Sequence, residues 1–334
     1  MTKLIIQIPC LNEADTIGDT ISKLPSKIDG IDAIEILIID DGSTDDTVEK
    51  ARAAGINHIV RHRRNRGLAA AFQSGVSKAL SEGADVIVNT DADGQYEGAD
   101  IDLLVRPIIN GTADIAVGDR GVSDNVHFGV FKRQLQRLGS LLVKSLSKAE
   151  INDAVSGFRA FSRDAAKRLT ITTEFSYTTD MLIQAGRKRM AIASVPVRTH
   201  ETKRPSRLFK SIPRFIVNQM ITIGRAYTTY NPLRVFVTTG LFLSLVGILP
   251  ITRFLWFYLQ GDGNGHLQSL VIGSAIMIVG ALFCMLGVLA DLTAANRKMI
   301  ETTLLEVRDL RDQISQKEES ELLELNSREG ENTL

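Results

Sequence analysis

Two cysteines in 334 residues, Cys10 and Cys284, give nothing from which to build a disulfide framework or a zinc site. Charge of one sign is missing too: 39 Lys and Arg against 39 Asp and Glu leave a formal net charge of +0. No global field therefore draws nucleic acid to the chain. The cluster that imitates a nucleic-acid patch, Arg61-His62-Arg63-Arg64, lacks interleaved aromatics and reads as a solvated or donor-phosphate-facing loop. His62, His127 and His200 read as structural or surface residues rather than metal ligands. A Gly-x-Gly-x-x-Gly fingerprint is absent from the first strand-to-helix turn, which removes the dinucleotide-binding reading. Met1-Thr2-Lys3 runs straight into an apolar segment, so no secretory leader is expected.

Apolar runs and helix-forming stretches alternate along the first half of the chain. Leu4-Ile5-Ile6-Gln7-Ile8-Pro9, Ile34 to Ile39, His58 to Arg61 and Val86-Ile87-Val88 read as strands, and Gly67 to Ser81 as a helix. Asn12 offers an N-cap ahead of Glu13, and Ser43 with Asp46 has the spacing of a capping box. Strand–helix alternation predicts a mostly parallel sheet covered on both faces, with functional groups gathered at the strand carboxyl ends. Pro9, Glu13, Asp40, Asp91 and Asp93 all fall there. Asp91-Ala92-Asp93 brings two hard carboxylates to one strand end, a donor set suited to Mg²⁺ or Mn²⁺. Taken alone, that pair also fits an ordinary Asp-rich surface turn.

Ile8-Pro9-Cys10-Leu11-Asn12-Glu13, Asp40-Asp41-Gly42-Ser43-Thr44-Asp45, Asn65-Arg66-Gly67 and Asp91-Ala92-Asp93-Gly94-Gln95 together resemble the family 2 inverting glycosyltransferases of GT-A fold. With Ser156-Gly157-Phe158-Arg159-Ala160-Phe161, residues 3 to 210 are most similar to the polyprenyl-phosphate sugar transferases of dolichyl-phosphate mannose synthase type. The resemblance implies a Rossmann-like GT-A domain over 1–210 that moves one sugar from a UDP- or GDP-linked donor to a polyprenyl phosphate, for envelope glycan or protein glycosylation. It implies a donor site at Pro9, Leu11, Glu13, Asp40, Asp91, Ala92, Asp93, Gln95 and Arg207, and a metal held by Asp91, Asp93 and Gln95. Catalysis would rest on Asp93, Asp91 and Arg133, and the acceptor phosphate on Arg120, Arg133 and Ser156. For any single arginine here, a solvated surface role stays open. The segment Lys203-Arg204-Pro205-Ser206-Arg207 departs from the subgroup, which expects Gly before the Ser and Lys after it. Tyr177 and Asp180 are further candidates for the site's edge, and Arg159 for lining or shaping the acceptor cavity.

Val235 to Tyr258 and Leu267 to Leu289 are each long and apolar enough to cross roughly 30 Å of hydrocarbon, joined by a Gly-rich turn. Arg214, Arg225 and Arg234 precede the first run, and Arg297 and Lys298 follow the second. Positive-inside bias predicts a multi-pass protein of the cytoplasmic membrane with the catalytic domain and both termini cytoplasmic. Trp256, Phe257 and Tyr258 would form an outer aromatic belt, and Arg253 would snorkel there. The expected organisation is 1–210 catalytic, 211–233 amphipathic interfacial helices, 234–290 membrane hairpin and 291–334 a helical tail with a disordered end. The stretch from Phe131 to Leu146 reads as a further membrane-surface helix, and Leu304, Val307, Leu310 and Ile314 leave self-association of the tail open. A polysaccharide synthase of the same superfamily is the alternative, weakened because the only Trp lies in a membrane run. A non-catalytic GT-A scaffold is the other, opposed by intact Asp91, Asp93 and Gln95. A cysteine introduced at Asn264 is expected to react with an impermeant reagent in intact cells, whereas one at Ser43 is protected; the reverse pattern would invert the topology.

Overall fold

The computed structural model describes residues 1–121, 151, 153–171, 177–200, 221, 224–225, 227–229, 231–261 and 264–331. The chain divides into two units, Met1–Ile223 and Gly224–Leu334. The interfacial-helix stretch is for the most part, and the predicted helix 131–146 wholly, outside the described residues.

In the first unit the strands are β1 (Lys3–Cys10), β2 (Ala33–Asp40), β3 (His58–Arg61), β4 (Val86–Asn89), β5 (Ile115–Asp119), β6 (Arg159–Ser162) and β7 (Ile192–Pro196). Between them lie α1 (Ile17–Ser22), α2 (Thr47–Ala53), α3 (Leu68–Ser81), α4 (Ile101–Ile109), α5 (Arg163–Arg168) and α6 (Tyr177–Arg187). The strands form one sheet in the order β3-β2-β1-β4-β6-β5-β7. All described pairings are parallel except those of β6, which runs antiparallel to both β4 and β5. Alternate residues of β1 feed two cores. Leu4, Ile6 and Ile8 face α1 and α4 through Ile17, Ile21, Leu104 and Val105. Ile5 faces the side that holds Phe72 and Val76 of α3 and Met181 and Leu182 of α6. Burial on both faces is why these strands read as unbroken apolar runs.

Two predicted caps do not form. Helix α1 starts only at Ile17 and α2 at Thr47, and neither N-cap residue, Thr16 or Asp46, makes a side-chain cap bond. Asn12, in the left-handed region at φ +54°, instead accepts from Thr44 N at 2.8 Å, and Ser43 Oγ accepts from Asn12 N at 2.9 Å. These short polar side chains satisfy the neighbouring loop rather than their own helix, a competition that local spacing does not reveal.

In the second unit α7 (Pro232–Leu259) and α8 (Leu267–Glu331) pack together, and both contain segments long and apolar enough to cross a membrane. Their contact is built on glycines seven residues apart. A Cβ on Gly240 would lie 2.6 Å from both Cys284 Sγ and the Gly280 carbonyl, and one on Gly247 2.8 Å from the Gly273 carbonyl. Gly273, Gly280 and Gly287 of α8 answer them, so the two backbones touch where side chains are absent. Arg253, expected to snorkel, donates to Ser269 Oγ of α8 at 3.1 Å and lies over the Phe257 ring. The helical tail expected from residue 291 continues α8 itself, one helix to Glu331, with no Pro and no Gly before Gly330 in its last forty residues. Gly280→Leu is expected to separate the helices and destabilise the detergent-solubilised protein by roughly 1–3 kcal/mol, whereas Ala281→Leu, on the exposed side, is expected to be silent. Equal melting curves for the two variants would contradict this packing.

Candidate active site

The chain winds outward from β1 through β2 to β3, then returns to β4 on the other side of β1. The carboxyl ends of β1 and β4 are thus a topological switch point, where open α/β sheets bind ligands. Gln7 pairs with Asn89, so β4 leaves the sheet while β1 continues to Cys10. Asp91 and Asp93 follow in the loop so released.

That loop is held at several points. The buried Ala92 offers its carbonyl to Thr20 Oγ1 of α1 at 3.1 Å. Asp93 Oδ1 accepts from Gln95 N at 3.0 Å, closing a turn through Gly94 at φ +71°. The Gln95 carbonyl accepts from His200 N at 2.8 Å, and Arg198 grips the buried Asp100 with Nε at 3.0 Å and Nη2 at 2.6 Å. Beneath Asp91 passes the backbone of Gly157, where a Cβ would come 3.2 and 3.3 Å from the two carboxylate oxygens. Asn89 Nδ2 donates to the Gly157 carbonyl at 2.9 Å, and Gly157 N donates to the Tyr96 hydroxyl at 3.3 Å. Tyr96 in turn stacks on Phe158, with ring centroids 4.7 Å apart.

Burial, and after it the neighbouring Asp93, pushes the Asp91 carboxyl up to about 7, against the pull of Arg120. Burial also raises the Tyr96 hydroxyl to about 12, with Asp91 adding to the shift. Asp91 is thus a carboxylate in want of a cation, and its partner two residues away fits a divalent metal. Among the described residues no group of three His, Cys, Asp or Glu is arranged to hold a metal.

Pro9 is buried in β1, and Leu11 and Glu13 stand just beyond its end; Glu13 Oε2 accepts from Thr16 Oγ1 at 2.9 Å. Asp40, fully buried at the end of β2, accepts from Ser43 N at 2.9 Å through Oδ1. Its Oδ2 faces Arg61 Nε at 3.2 Å, an ion pair outside hydrogen-bond geometry. The β1 and β2 loops are laced by Glu13 N donating to Thr47 Oγ1 at 2.8 Å. Arg120 meets Asp153 in a two-point pair, Nε to Oδ2 at 2.6 Å and Nη2 to Oδ1 at 3.0 Å. Ser156 is fully buried and hydrogen-bonds Tyr96, so it shapes the wall rather than opening toward solvent. Arg159 is sealed as well, donating to the carbonyls of Ser156, Ala154 and Thr178 at 2.8, 2.9 and 2.8 Å. Tyr177 is buried against Phe72, and Asp180 is buried and accepts from Gln184. Arg133, Arg207, Lys203, Arg204 and His127 lie outside the described residues.

His62 is structural. Its Nδ1 meets Asp41 Oδ1 at 2.6 Å and its Nε2 meets Ser74 Oγ at 3.0 Å. The same Asp41 accepts from Arg66 N and Gly67 N at 2.9 and 2.8 Å, which fixes the arginine-rich loop. Sequence reasoning missed Asn89, Tyr96 and Asp153. Asn89 had a signal, a polar residue closing a buried apolar strand; Asp153 had none.

Residues 5–170 match the domain described as Glycosyl transferase family 2. An uncharacterized protein of Methanocaldococcus jannaschii is 30% identical over 207 residues, 60% of this chain and 83% of that protein. The chain belongs to glycosyltransferase family 2. Glycosyltransferase AglJ of Haloferax volcanii is 28% identical over 296 residues, covering 86% of this chain and 92% of its own. The UDP-N-acetylglucosamine–dolichyl-phosphate N-acetylglucosaminyltransferase of Methanococcus voltae is 29% identical over 217 residues, 59% of this chain and 85% of that enzyme. Glucosyl-3-phosphoglycerate synthase of Mycobacterium tuberculosis, crystallised with Mn²⁺ and UDP, superposes with a TM-score of 0.53 at 21% identity over 66% of this chain and 80% of that one. The fold is therefore GT-A, and the chain is a glycosyltransferase.

An acid whose folded pKa is raised binds more protons folded than unfolded between its ordinary value of 3.8 and about 7. In metal-free protein, Asp91 therefore makes stability fall as pH rises through that window and level off above it. Asp91→Asn is expected to flatten this slope in urea unfolding with chelator present; identical slopes in both proteins would remove the assignment.

Proposed function

We propose that this glycosyltransferase moves a single sugar, with inversion, from a nucleotide-sugar donor to the phosphate of a polyprenyl phosphate at a membrane surface. The observation that carries this is the half-buried Asp91 beside Asp93 at the switch point, with the Arg120 cation close enough to act on its charge. A relative named for transfer to dolichyl phosphate and two membrane-length apolar helices support the lipid acceptor.

Asp93 and Asp91, with Gln95, are the residues that would hold Mg²⁺ or Mn²⁺, which when bound supplies positive charge for a leaving diphosphate. Glu13 and Asp40 stand one strand apart at the same edge, where carboxylates accept well from ribose hydroxyls or base N–H groups. Leu11, Pro9 and Ala92 give that end an apolar lining, and Arg207 is assigned to the donor phosphates. A phosphate monoester acceptor is already anionic near neutral pH, so the transfer needs no protein base. What it needs is cations that hold two anionic substrates together, the role assigned to Arg120 and Arg133. The loop between the helices is assigned to the outer side of the cytoplasmic membrane and the catalytic unit to the inner side.

Purified full-length protein is to be incubated with radiolabelled UDP and GDP sugars and undecaprenyl or dolichyl phosphate. One donor is expected to give a lipid product bearing one sugar per phosphate, abolished by EDTA and restored by Mn²⁺ or Mg²⁺. Asp93→Asn is expected to keep the fold and lose activity by at least about 100-fold. A ladder of longer products, or full activity in EDTA, would overturn this reading.

A further inference from the structure

Asp153 lies outside the sequence motifs quoted above, yet it is only 2% exposed. Both its oxygens are taken by one guanidinium, Arg120 Nε at 2.6 Å on Oδ2 and Nη2 at 3.0 Å on Oδ1. Two parallel contacts fix the plane of the arginine as well as its position. Of the five N–H donors of a guanidinium, three remain after this pairing. They are not sealed in, because the Arg120 side chain keeps 16% of its surface while that of Asp153 keeps 1%. Arg120 is also close enough to Asp91 for each to shift the other's proton affinity. A buried ion pair is a weak device for stability alone, since an apolar pair of equal volume often serves as well. Its strength is orientation.

We propose that Asp153 is a positioning residue, which holds the guanidinium of Arg120 so that its three N–H groups without a partner among the described residues are presented to the phosphate of the acceptor. The proposal rests on the reading of the acceptor as a phosphate. The contrast with Arg159 supports it: that guanidinium is fully buried, with three of its donors on backbone carbonyls and the others out of a ligand's reach.

The test is calorimetric titration of the full-length protein in detergent with farnesyl phosphate, and with farnesol as the uncharged probe. Asp153→Asn is expected to weaken farnesyl phosphate about tenfold and leave farnesol unchanged, while Asp153→Glu restores affinity to within about threefold of wild type. Arg120→Ala should reproduce the loss. Equal weakening of both probes would make Asp153 merely structural and overturn the proposal. So would an Asp153→Asn protein with wild-type affinity when Arg120→Ala has lost it. If the wild type fails to prefer farnesyl phosphate over farnesol, the phosphate-acceptor reading falls and the positioning role falls with it. Should Asp153→Asn not fold, Asp153→Ser is titrated in its place: selective loss of farnesyl phosphate affinity is expected, and wild-type affinity for both probes would overturn the proposal.

Discussion

A carboxylate just beyond the end of a fully buried strand, in no salt bridge among the described residues, is the constraint around which the catalytic unit is arranged. Asp91 has room because the residue beneath it is Gly157, whose missing Cβ would stand 3.2 Å from a carboxylate oxygen. Gly157 stays there because Asn89 holds its carbonyl at 2.9 Å, and Asn89 is itself held by Gln7 Nε2 at 2.9 Å. Gln7 is wholly buried, and its Oε1 points at α3 where Gly75 leaves space; a Cβ would lie 2.5 Å away. A polar chain thus runs from helix to sheet centre to site. Buried polar chains of this kind are costly when half-satisfied and specify one arrangement when closed. Here the open acceptor is Gln7 Oε1, at the end furthest from the chemistry.

The strands were legible because burial on both faces writes long apolar runs, and β3 from His58 to Arg61 was readable to the residue. The carboxylates at their ends followed from the same pattern. What sequence spacing does not carry is partnership across the fold. Asn12 and Ser43 are as good at capping a helix as at bridging a neighbouring loop, and the bridge prevails because β1 and β2 bring the two loops side by side, with Cys10 opposite Asp40. The antiparallel insertion of β6 between β4 and β5 is equally invisible, yet it is what delivers Gly157 under Asp91. Arg120 and Asp153 are 33 residues apart in sequence and meet only because β5 and β6 are neighbours.

In the second unit the two long apolar helices were legible from apolar length, and their pairing from a signal that the apolar runs obscured. Gly273, Gly280 and Gly287 repeat at seven residues, as do Gly240 and Gly247. In hydrocarbon there is little hydrophobic force to join helices, so close backbone packing over small residues does that work. The tail beyond the apolar run was read as helical, and α8 carries it in one unbroken helix. A composition rich in Leu, Glu, Lys and Arg sustains a helix without a core to pack on, and Ile300, Val307, Leu310 and Ile314 remain exposed along it.

Two arginines, Arg159 and Arg120, show what decides whether a cation is available for chemistry. Arg159 is enclosed by backbone carbonyls, which satisfy its donors but do not cancel its charge, and burial lowers its pKa to about 10. It orders the loop that carries Gly157, since two of its three acceptors, Ala154 and Ser156, belong to that loop. For Arg120, burial works against the charge, but Tyr96, Asp153 and Asp91 more than offset it and hold the pKa above its usual value. A guanidinium held on one edge by a buried carboxylate, its side chain 16% exposed, is charged, oriented and reachable. The same residue type therefore builds the wall in one place and offers donors in the other, and the difference lies in the partner: carbonyls consume an arginine, whereas a single buried carboxylate aims it.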